Sequence, residues 1–342
     1  MNCLLILLFL RILNLFANAD KECPTVVSSP PLFSDKKKSE SGFRLVQYNA
    51  EWLFVDYYAP MKCPGAGCTW VNESEANTHL QYVSKIVQEL NPDIINICEV
   101  EGCDELDMLC TETEKDYSVY LKQGTDTATG QNVGLMTKIS PIANLTRTEE
   151  RAAYPLEGSK CGYVGEPGTV GVSKHYITEY LLYGRRTLFI GVHLLAYPED
   201  ATRCAEREGQ AQIIQNIIAE YVSNSNREVI VLGDFNDFDE EVLDANRNIP
   251  TSRVLDILKG VNTGKYLLKS AAEKIPEVER FSDWWDQNTD CVSTADEFSM
   301  IDHVLVTPFL FDKISAAFFY HGYDEFCGKY NSDHYPLVVD FL

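Results

Sequence analysis

Six short polar groups in this chain have side chains that could do chemistry: Asn49 with Glu51, Glu99, His193, Asp234 with Asn236, Asp302 with His303, and Asp333 with His334. Carboxylate and amide oxygens are hard ligands of the kind that bind Mg2+ or Mn2+. Imidazole titrates near neutrality, so it can meet an anion or move a proton. Any one of the six has a bland explanation, because a strand-end aspartate commonly caps a turn and a lone histidine is commonly structural. Six at strand ends exceed what turn chemistry needs.

The elements that must position these residues are legible from periodicity. Strands are expected at Phe43–Asn49, Ile94–Cys98, Val133–Thr137, Thr187–Leu194, Val229–Leu232, Met300–Val306 and Pro336–Phe341, each apolar and β-branched enough to lie inside a sheet. Helical spacing joins Leu80, Val83, Ile86, Val87 and Leu90, with Asn91-Pro92 as the stop. A second helix carries the stripe Ile213, Ile214, Ile217, Ile218, Tyr221 and Val222, which reads as core. Val55–Asn77 reads as a long cysteine-bridged loop, and residues 20–42 as an extended lead-in. Residues 43–342 have no Pro/Gly/Ser-rich linker, so a single α/β catalytic domain is expected.

The segments Gln47-Tyr48-Asn49, Ile97-Cys98-Glu99, Gly191-Val192-His193, Gly233-Asp234-Phe235-Asn236, Ile301-Asp302-His303 and Ser332-Asp333-His334 resemble, in order, the motifs of the endonuclease/exonuclease/phosphatase family, which includes deoxyribonuclease I. The resemblance implies a four-layer α/β/β/α sandwich, two mixed β-sheets face to face with helices outside. It implies that Glu99 is the main ligand of a catalytic Mg2+ or Mn2+, helped by Asn49, Glu51 and Asp333. Asp234 and Asn236 would orient the attacking water and the phosphate. His334, held by Asp302, and His193 would bind phosphate oxygens and move protons. Asn132 is the nearest candidate to support His193, and Arg151 is a candidate phosphate contact. Structural Ca2+ is a further expected cofactor.

The N-terminus narrows the compartment. The apolar run Leu4–Phe16 carries only Arg11, small residues follow at Ala17 and Ala19, and Asp20 comes next, as in a cleaved secretory signal over residues 1–19. The run is too short to anchor in a bilayer, which needs about 20 apolar residues. Without Cys3 the eleven cysteines become an even number, as expected of a disulfide-bonded secreted protein. Cys63/Cys68 and Cys103/Cys110 could each close a small loop, with several pairings open among Cys23, Cys98, Cys161, Cys204, Cys291 and Cys327. Asn72 and Asn144 begin glycosylation sequons.

Formal net charge is −22, which disfavours coating of nucleic acid or anionic membrane. A hydrolase whose metal meets the phosphate needs no basic surface. The leading expectation is a secreted, monomeric nuclease acting on DNA or RNA. Glu101 stands where deoxyribonuclease I has a DNA-contacting arginine, which argues against double-stranded DNA in particular. The alternative is a sphingomyelinase-like phospholipid phosphodiesterase, with Trp284 and Trp285 as candidate docking residues. A non-catalytic binding protein or toxin subunit is disfavoured because every motif keeps its chemical side chain.

Overall fold

The computed structural model describes residues 42–55, 69–113, 116–223, 226–261, 268–322 and 331–342. The expected signal segment, the lead-in up to residue 41 and the Cys63/Cys68 pair lie outside these residues.

Fifteen strands follow in order: β1 (Arg44–Leu53), β2 (Ile94–Val100), β3 (Ser118–Leu121), β4 (Asn132–Thr137), β5 (Arg151–Tyr154), β6 (Gly168–Gly171), β7 (Lys174–Leu182), β8 (Arg185–His193), β9 (Arg227–Asp234), β10 (Lys269–Ser270), β11 (Asp283–Trp284), β12 (Phe298–Ser299), β13 (Asp302–Val306), β14 (Ile314–Phe319) and β15 (Leu337–Phe341). One sheet has the order β14-β15-β1-β2-β4-β3, the other β10-β13-β9-β8-β7. Each is mixed, with β1–β2 and β8–β9 parallel and the remaining pairs antiparallel. Helices α1 (Glu73–Leu90), α2 (Cys103–Glu112), α3 (Ala201–Val222) and α4 (Val254–Lys259) cover the outer faces.

Three apolar layers hold this arrangement together. Side chains alternate along a strand, so each buried strand contributes to two layers. From β1, Leu45 enters the layer between the sheets with Ile94, Phe189 and Leu232. Val46 and Tyr48 face the other way and pack on Leu80, Val83 and Val87 of α1 and Leu106 of α2. On the second sheet, Ile190 and Val231 pack on Ile214 and Ile218 of α3 and Leu258 of α4. The four-layer expectation therefore holds, and it follows from strands that are apolar on both faces.

Local signals explain most boundaries. Helix α1 begins four residues before the end of the expected loop, because Asn72 accepts the Glu75 N–H and caps it; Asn91 closes it in the left-handed conformation. Cys161 and Cys204 form a disulfide with Cα atoms 5.6 Å apart, tying the segment after β5 to α3. The small loop that Cys103 and Cys110 could have closed is not bridged. Cys103 is disulfide-bonded, whereas Cys110 is a thiol donating to the Tyr117 carbonyl. Cys98 is also a thiol, buried between the sheets, and burial pushes it up to about 12.

His175 in β7 is buried, and its Nε2 accepts the Thr148 N–H at 2.9 Å. Burial, with the nearby Arg147 charge, pushes it from 6.5 down to about 4. The stabilisation from keeping it neutral is full above the unfolded value and is lost as pH falls from 6.5 to about 4. Its size is of the order of 3 kcal/mol. His175→Gln, which can still accept from Thr148, should show a shallower loss of unfolding free energy over that window; parallel denaturation curves would contradict this.

Candidate active site

The first sheet builds its part of the site with two bulges. β1 and β2 pair in register to Asn49 and Cys98, then slip before Leu53 and Val100. At the slips Glu51 (φ 44°), Trp52 (φ 49°) and Glu99 (φ 65°) adopt left-handed conformations. Such positions cost about 1–3 kcal/mol each and occur where a side chain must be re-aimed. Glu99 Oε2 accepts the Trp52 N–H at 3.0 Å. Glu51 Oε2 accepts the Asp333 N–H at 3.1 Å, and its Oε1 accepts Thr69 Oγ1 at 2.8 Å.

In the second sheet register does the positioning. His193 lies opposite Asp234 across parallel β8–β9, and Asp234 opposite Asp302 across antiparallel β9–β13, giving one row on three strands. Gly233 has φ 153°, and a Cβ there would sit 1.8 Å from the Val192 carbonyl oxygen. Only glycine lets the two strands end this close together. Asp234 Oδ1 accepts the Asn236 N–H at 2.8 Å, fixing the turn that follows.

Asn49 joins the halves. Its Nδ2 lies 3.0 Å from Asp234 Oδ2, 3.2 Å from Glu99 Oε1 and 3.3 Å from His334 Nε2. Ser332 Oγ donates to the Asn49 carbonyl and accepts the His334 N–H, which locks the Ser-Asp-His turn onto β1. His334 Nδ1 is 2.7 Å from Asp302 Oδ2, leaving Nε2 among Asn49, Asp234, Asp283 and Asp333.

Confinement of charge dominates the electrostatics. Burial, with Asp333 and Glu99 nearby, raises Glu51 well above the usual carboxylate range. Burial beside Asp302 lifts Asp234 to about 8, and burial with Asp283 and Glu99 nearby lifts Asp333 to about 7. Burial opposes charge on His334, but Asp302, Asp333 and Asp283 outweigh it and hold the imidazole well above its ordinary value. His193 goes the other way, because burial and the charges of Lys174 and His334 keep it neutral.

Asn49, Glu51, Glu99, His193, Asp234, Asn236, Asp302, Asp333 and His334 thus converge at one sheet edge. The two expected substrate contacts do not. Asn132 spends its amide on the Glu101 and Gly130 carbonyls and the Gly124 N–H, so it braces a loop rather than His193. Arg151 is exposed and bonds Thr169 across the β5–β6 ribbon. His303 is a core histidine, bonded to the Asp237 carbonyl and stacked on Phe235.

Two residues missed in the sequence reading belong to the cluster. Lys174 Nζ lies 3.2 Å from His193 Nε2 and 3.1 Å from Gln131 Oε1. It stands directly opposite His193 in the β7–β8 hairpin, and the turn at Tyr183-Gly184 was the signal that could have placed it there. Asp283 bonds Ser299 Oγ and lies 3.7 Å from His334 Nε2. It comes from the two-residue strand β11, which is too short to carry a periodic signal.

Among the described residues, two groups have ligand atoms close enough to share an ion: Glu99, His193 and Asp234, and Asp283, Asp333 and His334. Asp333 Oδ1 is buried with no hydrogen-bond partner, a condition that a cation would relieve. The residues therefore fit a divalent metal.

The chain matches the endonuclease/exonuclease/phosphatase family over residues 46–324. Solved structures similar to it include truncated TDP2 of Caenorhabditis elegans (17% identity, TM-score 0.50, 88% of this chain and 97% of that one). Others are family members from Bacteroides vulgatus (17%, 0.52, 88% and 99%) and Beutenbergia cavernae (14%, 0.51, 87% and 71%). Comparison with curated protein sequences gives no match. The chain belongs to the endonuclease/exonuclease/phosphatase family and is a metal-dependent phosphodiester hydrolase.

Removing a ligand should separate binding from folding. In EDTA, Glu99→Ala should melt at or above the parent temperature because like-charge repulsion falls, while Mg2+ should raise the parent melting point more than the mutant's. Equal Mg2+ shifts in both would remove Glu99 from the metal site. Lys174→Gln should lower turnover about 100-fold, the usual scale for one charge-stabilising donor, yet keep the Mg2+-induced melting shift. Unchanged turnover would make Lys174 a bystander.

Proposed function

We propose that this protein is a secreted, Mg2+-dependent nuclease that hydrolyses phosphodiester bonds of DNA or RNA, with residues 43–342 as the catalytic unit. The observation that carries this is the meeting of Asp234, raised to about 8 by burial, with Asn49, His193 and His334 within 4.0 Å of its Oδ2. A base poised near neutrality, a held imidazole and carboxylates able to hold a metal are the groups that hydrolysis of a phosphodiester needs.

Glu99, assisted by Asn49, Glu51 and Asp333 directly or through water, would hold the ion. When bound, Mg2+ supplies positive charge to the phosphate oxygens as negative charge builds in the displacement. Asp234 accepts a proton from the attacking water, and Asn236, whose N–H holds Asp234 Oδ1 and whose amide donates to the Leu194 carbonyl, fixes the turn beside it. His334, kept charged by Asp302, donates toward the departing oxygen, and Lys174 with His193 faces a non-bridging oxygen.

Export is supported by the Cys161–Cys204 disulfide and by the exposure of both sequon asparagines, Asn72 and Asn144. No helix among the described residues is long and apolar enough to cross a membrane. Nucleic acid is favoured over phospholipid because Trp284 is 1% exposed, with its indole N–H bonded to Glu297. That leaves Trp285 alone of the expected docking pair at the surface, at 64% exposed.

The purified chain should be incubated in parallel with plasmid DNA, single-stranded DNA, RNA and sphingomyelin, with Mg2+ or EDTA. Nucleic acid should be cleaved only with Mg2+, and sphingomyelin left intact. Hydrolysis of sphingomyelin with nucleic acid untouched would overturn the nuclease reading.

A further inference from the structure

The layer between the sheets contains a polar chain that the chemistry above does not use. Leu45, Gln47 and Asn49 alternate onto the same face of β1, as do Ile94, Asn96 and Cys98 on β2. Leu45 and Ile94 are core residues, yet Gln47 and Asn96, paired in register beside them, are fully buried amides. An unsatisfied amide here would cost about 1–3 kcal/mol. Both are bonded, and the bonds run in one direction.

Tyr176 OH on β7 donates to Asn96 Oδ1 at 2.8 Å. Asn96 Nδ2 donates to Gln47 Oε1 at 2.6 Å, and Gln47 Nε2 donates to Asp302 Oδ1 at 2.9 Å. The other oxygen of Asp302 holds His334 Nδ1 at 2.7 Å. Chemistry fixes the amide orientations. An ionised carboxylate only accepts, so Gln47 must present its nitrogen to Asp302; its oxygen must then take the Asn96 N–H, which leaves the Asn96 oxygen for the tyrosine.

Gly191 supplies an independent observation. It stands mid-strand in β8, directly opposite Tyr176, where a glycine weakens a strand. A Cβ there would lie 2.2 Å from Asn96 Oδ1 and 2.5 Å from the Tyr176 ring. The glycine leaves room for the Tyr176–Asn96 bond.

We propose that Gln47 is a positioning residue for hydrolysis: held by Asn96 and Tyr176, it fixes the Asp302 carboxylate and so the direction of His334. By taking Oδ1, Gln47 leaves Oδ2 as the acceptor for the His334 Nδ1–H and turns Nε2 toward the substrate. A carboxylate without that bond can rotate, and the imidazole rotates with it. The chain crosses between the sheets at the contacts Tyr176–Asn96 and Gln47–Asp302, and Asp302–His334 carries it on to the turn held against β1, so sheet packing is coupled to the aim of one side chain.

The inference rests on the hydrolytic reading of the site but not on nucleic acid as substrate. The test therefore uses the purified chain with Mg2+ and bis(4-nitrophenyl) phosphate. Gln47→Leu should lower kcat about 10- to 100-fold, the scale for losing a residue that orients a reactive group, with KM within about twofold. The downfield proton resonance of His334 Nδ1–H, identified by its loss in His334→Ala, should shift or broaden. In an Asp302→Asn background, Gln47→Leu should change kcat less than about twofold, because its route of action is already cut.

Tyr176→Phe, which keeps the ring, should move the same resonance in the same direction with a few-fold loss of kcat, and it decides the matter if Gln47→Leu fails to fold. Parent kcat in the folded variants, an unmoved resonance, or full additivity with Asp302→Asn would each overturn the proposal. If the parent fails to hydrolyse the diester, the hydrolytic reading falls, and the resonance in the Gln47 and Tyr176 variants still decides positioning.

Discussion

Repulsion among carboxylates confined in a buried space is the constraint around which this protein is arranged. Glu51, Glu99, Asp234, Asp283, Asp302 and Asp333 come from both sheets and meet at one edge. Burial, and after it mutual repulsion, raises Glu51, Asp234, Asp283 and Asp333, while the same negative charge lifts His334. Lys174 and His334 offset part of that excess, and a divalent cation offsets more. A site strained in this way favours whatever brings positive charge, and it also holds a phosphate only when that charge is present.

The fold sustains this because the unfavourable groups sit at the rim while three apolar layers hold the strands. The bulges at Glu51 and Glu99 and the glycine at 233 are local concessions to the same demand, placing carboxylates where regular strands would not. Asn49 is the hinge of the arrangement, since its amide touches ligands from both halves. Neither sheet alone contains the site, so sheet packing and catalysis cannot be separated.

The sequence was informative where periodicity or motif spacing carried the signal. Seven expected strands all exist, and α1 and α3 follow their apolar stripes to Leu90 and Val222. The strands β3, β7 and β14 escaped notice, since a run such as His175-Tyr-Ile-Thr-Glu-Tyr180 mixes polar residues into a strand with only one dry face. The site was legible where a side chain follows its own strand. It was not where position depends on a partner: Asn132 has the right address but spends its amide on backbone, and Asp283 arrives on the two-residue strand β11. Cysteine pairing stayed open for the same reason, because spacing cannot reveal that Cys98 points into the inter-sheet core.

The central claim is that this carboxylate cluster exists to hold a divalent cation. Titration of the metal-free protein with Mn2+, followed by the electron paramagnetic resonance of the unbound ion, tests it without reference to any substrate. The account predicts saturable binding by the parent that is lost or weakened about 10-fold or more in Glu99→Gln, which keeps the shape and removes the charge. Equal Mn2+ binding by the parent and Glu99→Gln, or none by the parent, would contradict it.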